Sequence, residues 1–193
     1  MKLGLYGGSF DPVHCGHLLV AQAAVEELTL DRLLFIPAAL SPFKTDQAPT
    51  PPARRLRMLR IALAGHPEFE VETIELDRGG VSYSIDTVER LTQRYPGAEL
   101  HWLIGADHVA TLPLWRDAEK LAGLVEFVVI PRPGTEPATA PKPFRLHWLR
   151  GWPLAVSSSE IRERASAGKS IRGLVPDMVA EIIRGERVYT SRG

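Results

Sequence analysis

Cys15 is the single cysteine in 193 residues, so no disulfide can form within the chain. No apolar stretch approaches the roughly 20 residues needed to span a bilayer. Met1 and Lys2 lead straight into a short apolar run rather than into a signal peptide's apolar core and cleavage site, so a cytoplasmic protein is expected. An excess charge of either sign is also lacking: Lys plus Arg and Asp plus Glu number 23 each, so no global field attracts polyanions. General nucleic-acid binding is disfavoured, and only a local cluster could hold phosphate. The GxGxxG pattern of dinucleotide-binding turns is missing too. With 45% hydrophobic and 24% charged residues, the chain is long enough for one well-filled domain, expected over 1–193, and short for two.

What is present is concentrated in residues 7–17, GGSFDPVHCGH. The apolar Leu3, Leu5 and Tyr6 precede it and an apolar periodic segment starts at Leu18, so a strand is predicted to end in a glycine turn that feeds a helix. Gly7 and Gly8 would let a ligand approach the backbone, and a helix amino end offers unpaired N–H groups and partial positive charge; phosphate suits both. His14 and His17 are three apart, so on a helical turn both rings share a face. A glycine turn alone is usually only a turn, and a histidine alone is usually structural. A zinc reading of the pair finds no third and fourth ligand nearby. Glycines, the Ser9 hydroxyl and two histidines at one junction together favour phosphate chemistry.

Further along, 18–28 reads as a helix and 32–37 (RLLFIP) as a buried strand stopped by proline. Residues 38–53 hold four prolines and no apolar period; they read as a surface loop carrying Lys44, either solvated or folded over a phosphate. Residues 54–64 place Leu56, Leu59 and Leu63 on one helical face, with the arginines as a solvated face. Residues 69–76 suit an exposed-edge strand, and Ser84 could cap a helix running to Arg94. Residues 99–107 (ELHWLIGAD) are a second strand ending in glycine, where Asp107 could accept from ribose hydroxyls or cap a helix. Trp115 could be a core anchor or a flat wall for a flat ring. After a short helix ending at 118–122, residues 124–130 (LVEFVVI) read as a buried parallel strand and 131–143 as a proline-rich connection with Arg132 at its root. Residues 144–149 could supply a last strand, and 154–156 lead into a serine-rich turn. Ser157, Ser158 and Ser159 then open a helix over 160–167, with Arg162 one turn in; three hydroxyls and a guanidinium exceed what capping needs and suit an anion. Residues 176–184 form a closing helix with Pro176 in its first turn.

The stretch 7–17 resembles the nucleotidyltransferase signature whose HxGH tetrad, here residues 14–17, binds the phosphates of ATP. The chain as a whole, from Met1 to about Tyr189, is similar to the nicotinate-mononucleotide adenylyltransferase family. SYSIDT (82–87) resembles that family's SYTIDT, IGAD with the following Leu112 to Trp115 its adenosine and nicotinate segment, and VSSSEIR its ISSTxIR. Lys44 matches the end of its Pro-His-Lys motif, with Phe43 in place of the histidine. The resemblance implies ATP contacts at Gly7, Gly8, Ser9, Phe10, His17, Gly105, Asp107, Ser158, Ser159 and Arg162. It implies mononucleotide contacts at Lys44, Ser84, Trp115 and Arg116.

Alternating strands and helices imply an α/β fold, a doubly wound Rossmann-like parallel sheet with helices on both faces, the first and fourth strands adjacent. The reaction the resemblance implies is attack by the phosphate of nicotinate mononucleotide on the α-phosphorus of ATP, leaving deamido-NAD and pyrophosphate. A phosphate monoester is already anionic, so no general base is required. His14, His17, Lys44 and Arg162 are the expected cations or donors, with Ser9, Ser158 and Ser159 assisting. Mg2+ should arrive with ATP, held by phosphate oxygens and water rather than by a protein cage. An adenylyltransferase for phosphopantetheine or nicotinamide mononucleotide is the nearest alternative, and a non-catalytic ATP or NAD sensor the alternative of another class.

Overall fold

Six strands, β1 (Lys2–Gly8), β2 (Arg32–Pro37), β3 (Phe69–Val71), β4 (Glu99–Gly105), β5 (Val125–Ile130) and β6 (Leu146–Trp148), form one parallel sheet in the order β3-β2-β1-β4-β5-β6. The computed structural model describes residues 1–42, 49–132, 134, 137–152 and 154–190. The helices are α1 (Cys15–Leu28), α2 (Pro52–Ala62), α3 (Ile74–Arg78), α4 (Ser84–Arg94), α5 (Ala118–Leu124), α6 (Ser158–Ser166) and α7 (Asp177–Gly185), with a 3-10 segment at Ala106–Leu114. Period-two alternation sorts the core between the sheet's two faces. Tyr6, Leu33, Phe35, Leu103 and Val128 meet buried side chains of α1, α2, α6 and α7. Leu3, Leu5, Leu34, Ile36, Trp102 and Phe127 meet those of α4 and α5. Each fully buried Leu, Ile or Phe contributes about 1.5–3 kcal/mol, so covering both faces is what holds the sheet between its helix layers.

This strand order reverses between β1 and β4, and ligands of open parallel sheets bind in the crevice at such a reversal. Leu5 is level with Trp102, so the two strands run on in step to Gly8 and Gly105. The glycine turns predicted to hold ATP therefore stand side by side.

Several elements differ from expectation. Helix α1 starts at Cys15 rather than Leu18, and α6 at Ser158 rather than Glu160, because side chains just upstream cap their amino ends. The strand expected over 69–76 stops at Val71, and Ile74–Arg78 turns helical as α3; β3 is nonetheless the edge strand. The strand expected over 144–149 is shorter, Leu146–Trp148. Pro52 and Ala53 belong to α2 rather than to the loop, and Pro176 is the N-cap of α7. The buried face of α2 is Arg55, Met58, Leu59 and Ala62, so one of its arginines lies inside rather than on the solvated face.

Candidate functional site

His14 and His17 form a reciprocal capping box at the start of α1. The His14 Nδ1 accepts from the His17 backbone N–H at 3.3 Å, and the His17 Nδ1 accepts from the His14 N–H at 3.1 Å. In the usual box the second acceptor is Glu or Gln; here it is an imidazole. An Nδ1 that accepts leaves the ring proton on Nε2, on the side of each ring away from the backbone. The rings stack, centroids 3.6 Å apart and 22° from parallel, so the two Nε2–H donors project from one stack. Gly16 makes room for this: a Cβ there would lie 3.1 Å from the His14 Nδ1 and 3.0 Å from a Val156 methyl.

Burial pulls the His14 imidazole from its usual 6.5 down to about 4, against a smaller opposing effect of its backbone hydrogen bond. His14 is thus a neutral donor near pH 7, not a cation. The unfolded chain takes up this proton between pH 6.5 and 4 and the folded chain does not. Stability is therefore complete above about pH 6.5 and drains as pH falls toward 4, by up to about 3 kcal/mol. Asparagine at 14 keeps an N-cap acceptor and removes the titration. In denaturant unfolding from pH 7 to 4.5, the stability of wild type minus that of His14→Asn is expected to fall with pH. Parallel profiles would contradict a buried neutral His14.

The preceding turn is held from beneath. Phe10 is 1% exposed, adopts a left-handed backbone at φ 46°, and lies edge-on to His17 at 5.0 Å. Its ring explains Gly8, where a Cβ would sit 3.1 Å from the Phe10 Cζ. Phe10 was expected to touch ATP; its side chain is committed to the core, which leaves only its backbone for that purpose. Asp11 is buried and accepts from the Tyr189 hydroxyl at 2.7 Å and the Thr50 N–H at 2.9 Å.

The start of α6 docks onto this turn. Ser157 caps α6 by accepting from the Glu160 N–H, which leaves its two successors for other work. Ser158 Oγ donates to the Pro12 carbonyl at 2.9 Å, and Arg162 donates from Nη1 to the Asp11 carbonyl at 2.9 Å and from Nη2 to Ser159 Oγ at 3.1 Å. Residues 146 and 151 apart in sequence thus meet within a few residues of His14.

At the neighbouring strand end, Asp107 lies 3.2 Å from the Arg132 Nε. Burial pushes its carboxyl up, but Arg132, a backbone N–H and His108 outweigh this and hold it below the usual carboxylate range. It stays an ionised acceptor, and it lies inside the 3-10 segment, whose N-cap is Gly105. Arg116, next to Trp115, reaches the start of α4 where Ser84 lies. Ser84 is the first residue of α4 and does not cap it; the N-cap is Tyr83, with no side-chain bond. The Arg116 guanidinium sits 4.8 Å over the Tyr83 ring and 3.7 Å from the Asp86 carboxylate. Half-buried Trp115 packs edge-on against His108 and Phe127. Lys44 and Phe43 lie outside the described residues.

Sequence reasoning missed Arg55, Asp11 and Glu75. Arg55 is fully buried and donates to three backbone carbonyls, those of Thr50, Ser9 and Ala38. The signal was there: 55, 58, 59 and 62 are spaced as one helical face, with arginine among apolar residues. Glu75 is buried and accepts from the Thr87 hydroxyl at 2.7 Å. Burial raises its carboxyl, with Thr87, Ser82 and Arg78 opposing. Ser82 in turn accepts from the Ala39 N–H at 3.0 Å, so the SYSIDT segment is tied to the end of β2. No short-range pattern marks Glu75 as buried.

Among the described residues, no group of three or more His, Cys, Asp and Glu side chains is placed to hold a metal ion, and no helix is long and apolar enough to cross a membrane. The donors that converge here are imidazole N–H, hydroxyl and guanidinium, a set made for anionic oxygen.

Comparison with known proteins agrees. Residues 5–164 match the cytidylyltransferase-like family model. The probable nicotinate-nucleotide adenylyltransferase of Opitutus terrae is 44% identical over 191 residues, covering 98% of each chain. The nicotinate-nucleotide adenylyltransferase of Bacillus subtilis is 37% identical over 190 residues, covering 98% of this chain and 99% of that one. Among solved structures, Plasmodium falciparum nicotinic acid mononucleotide adenylyltransferase complexed with NaAD superposes with a TM-score of 0.80 at 18% identity, over 97% of both chains. That last likeness speaks to the fold.

Proposed function

The chain belongs to the nicotinate-nucleotide adenylyltransferases of the cytidylyltransferase-like family, and from that premise we propose how its residues divide the work. It transfers AMP from ATP to nicotinate mononucleotide, giving deamido-NAD and pyrophosphate, a step of NAD biosynthesis. The observation that carries the assignment is the docking of Arg162 and Ser158 onto residues 11 and 12, beside two stacked imidazoles whose protons are confined to Nε2.

The acceptor phosphate is itself the nucleophile, so the protein's task is to align two repelling anions and to stabilise charge gathering on the transferred group and the departing pyrophosphate. His14 and His17 donate from Nε2 to phosphate oxygens, His14 without adding charge, and Arg162 supplies the permanent cation. Gly7, Gly8 and Ser9 line the turn, and Ser158, Ser159 and Lys44 add donors. Gly105 and Asp107 take the adenosine, Asp107 accepting from ribose hydroxyls. A carboxylate on the pyridine ring suits the first-turn N–H groups of α4 at Ser84, which no side chain caps. Arg116 offsets Asp86 there, and Trp115 offers the ring a flat wall.

Nucleotidyltransferases use a divalent metal with ATP, and Mg2+ is the ion proposed. Both Asp11 oxygens are already engaged, so the donor set fits a triphosphate that brings Mg2+ on its own oxygens and water. The Mg2+ would supply charge neutralisation between phosphates. The proposed partners are the two nucleotides, with no nucleic acid or membrane, and the proposed location is the cytoplasm. The near-complete coverage of the relatives supports one nucleotidyltransferase domain over 1–193. Pyrophosphate release with ATP is expected with nicotinate mononucleotide, far less with nicotinamide mononucleotide, and not with phosphopantetheine. Release independent of the ring carboxylate would refute the α4 assignment, and none with any acceptor would leave a sensor.

A further inference from the structure

Among the described residues Arg55 is the bulkiest side chain with no solvent exposure, and each of its three nitrogens donates to a backbone oxygen: Nη1 to Ser9 at 2.7 Å, Nη2 to Ala38 at 2.9 Å and Nε to Thr50 at 2.9 Å. These carbonyls belong to the phosphate turn, the end of β2 and the residues before α2. The same segments are joined a second time. The Ala38 N–H donates to Gly8 at 2.9 Å and the Thr50 N–H to Asp11 at 2.9 Å. An arginine needed only to fill a core would be replaced at less cost by a methionine; a buried guanidinium is retained where its planar fork fixes several acceptors at once.

The Ser9 carbonyl is the one of consequence. Its peptide leads into Phe10, whose left-handed backbone is unfavourable for a residue with a side chain and so must be enforced by its surroundings. From that conformation the Phe10 ring meets His17 edge-on. We propose that Arg55 is a positioning residue for adenylyl transfer: by fixing the Ser9 peptide it holds Phe10, and through Phe10 it orients His17 toward the triphosphate. This rests on the adenylyl-transfer reading of the site.

Lysine at 55 keeps a charge but cannot bridge three carbonyls, and methionine keeps bulk alone. Assayed well below its melting temperature, Arg55→Lys is expected to lose about 10²-fold in kcat/KM for ATP. Its KM for ATP should rise, its KM for the mononucleotide should stay within about twofold, and a non-hydrolysable ATP analogue should bind more weakly at unchanged stoichiometry. Arg55→Met should lose at least as much; if it fails to fold, the lysine variant decides. Wild-type kcat/KM for ATP in Arg55→Lys would overturn the proposal. So would a loss confined to the active fraction with both KM values unchanged, since that is what a scaffold residue produces. If wild type bound the analogue but released no pyrophosphate with any mononucleotide, the adenylyl-transfer reading would fall, and analogue affinity would still report on Arg55.

Discussion

Replacing His17 by alanine is expected to lower turnover by about 10²–10³-fold, the usual effect of deleting one preorganised donor aimed at developing charge. The substitution removes two things, and they can be separated. The His17 Nδ1 accepts the His14 N–H, a capping contact whose loss costs about 1 kcal/mol of stability. The Nε2–H is the donor proposed to meet phosphate. Glutamine at 17 is the ordinary third member of a capping box and restores the acceptor, but it does not place a donor where the imidazole does. His17→Gln is therefore expected to recover stability in urea unfolding while its kcat for pyrophosphate release stays near the alanine value. A glutamine variant with close to wild-type turnover would mean that position 17 is a helix cap and nothing more. The stack adds a second consequence. His14 loses its ring partner in either variant, so the metal-loaded ATP complex should weaken as well, seen as a raised KM for ATP alongside the lower kcat.

The half of this site proposed to bind phosphate was legible as a cluster in the sequence because its parts are short-range. Two histidines three apart, with glycine between them, can meet only if the turn is helical, and the serines before Arg162 exceed the needs of a cap. What could not be read was the helix boundary: α1 begins at Cys15 because His14 is its own cap, and no capping rule anticipates imidazole in both places of the box. The parallel sheet and the adjacency of β1 and β4 followed from alternation and from two strands ending in glycine; the full strand order did not. Arg55 was hidden by composition, since arginines in an amphipathic helix normally face water, and only its three carbonyl partners, from 5 to 46 residues away, make burial tolerable. Glu75 was hidden the same way, in a five-residue helix that an alternating pattern disguised as strand. Long-range polar closure is what single-sequence periodicity cannot see.

Removal of the Arg162 guanidinium is expected to rival the loss of His17, and here the conservative change is the informative one. Arg162 spans two segments, with Nη1 on the Asp11 carbonyl and Nη2 on Ser159, so the orientation of the fork is set before any ligand arrives. Its charge is placed by neutral oxygens, and among the described residues no carboxylate pairs with it directly, which keeps it available to an incoming anion. Arg162→Ala loses the charge and the orientation, and kcat should fall about 10²–10³-fold or more. Arg162→Lys keeps the charge on a single nitrogen that can satisfy one of the two oxygens. It forfeits one charge-assisted hydrogen bond, about 1.5–3 kcal/mol, and so about 10–100-fold in kcat/KM for ATP. If the guanidinium served only to clip α6 to the signature turn, both variants would show lower melting temperatures and normal turnover once folded. If it meets the triphosphate, the order of turnover is wild type, then lysine, then alanine, and raising ionic strength should narrow the gap between lysine and alanine, because only the lysine variant still has a charge for salt to screen.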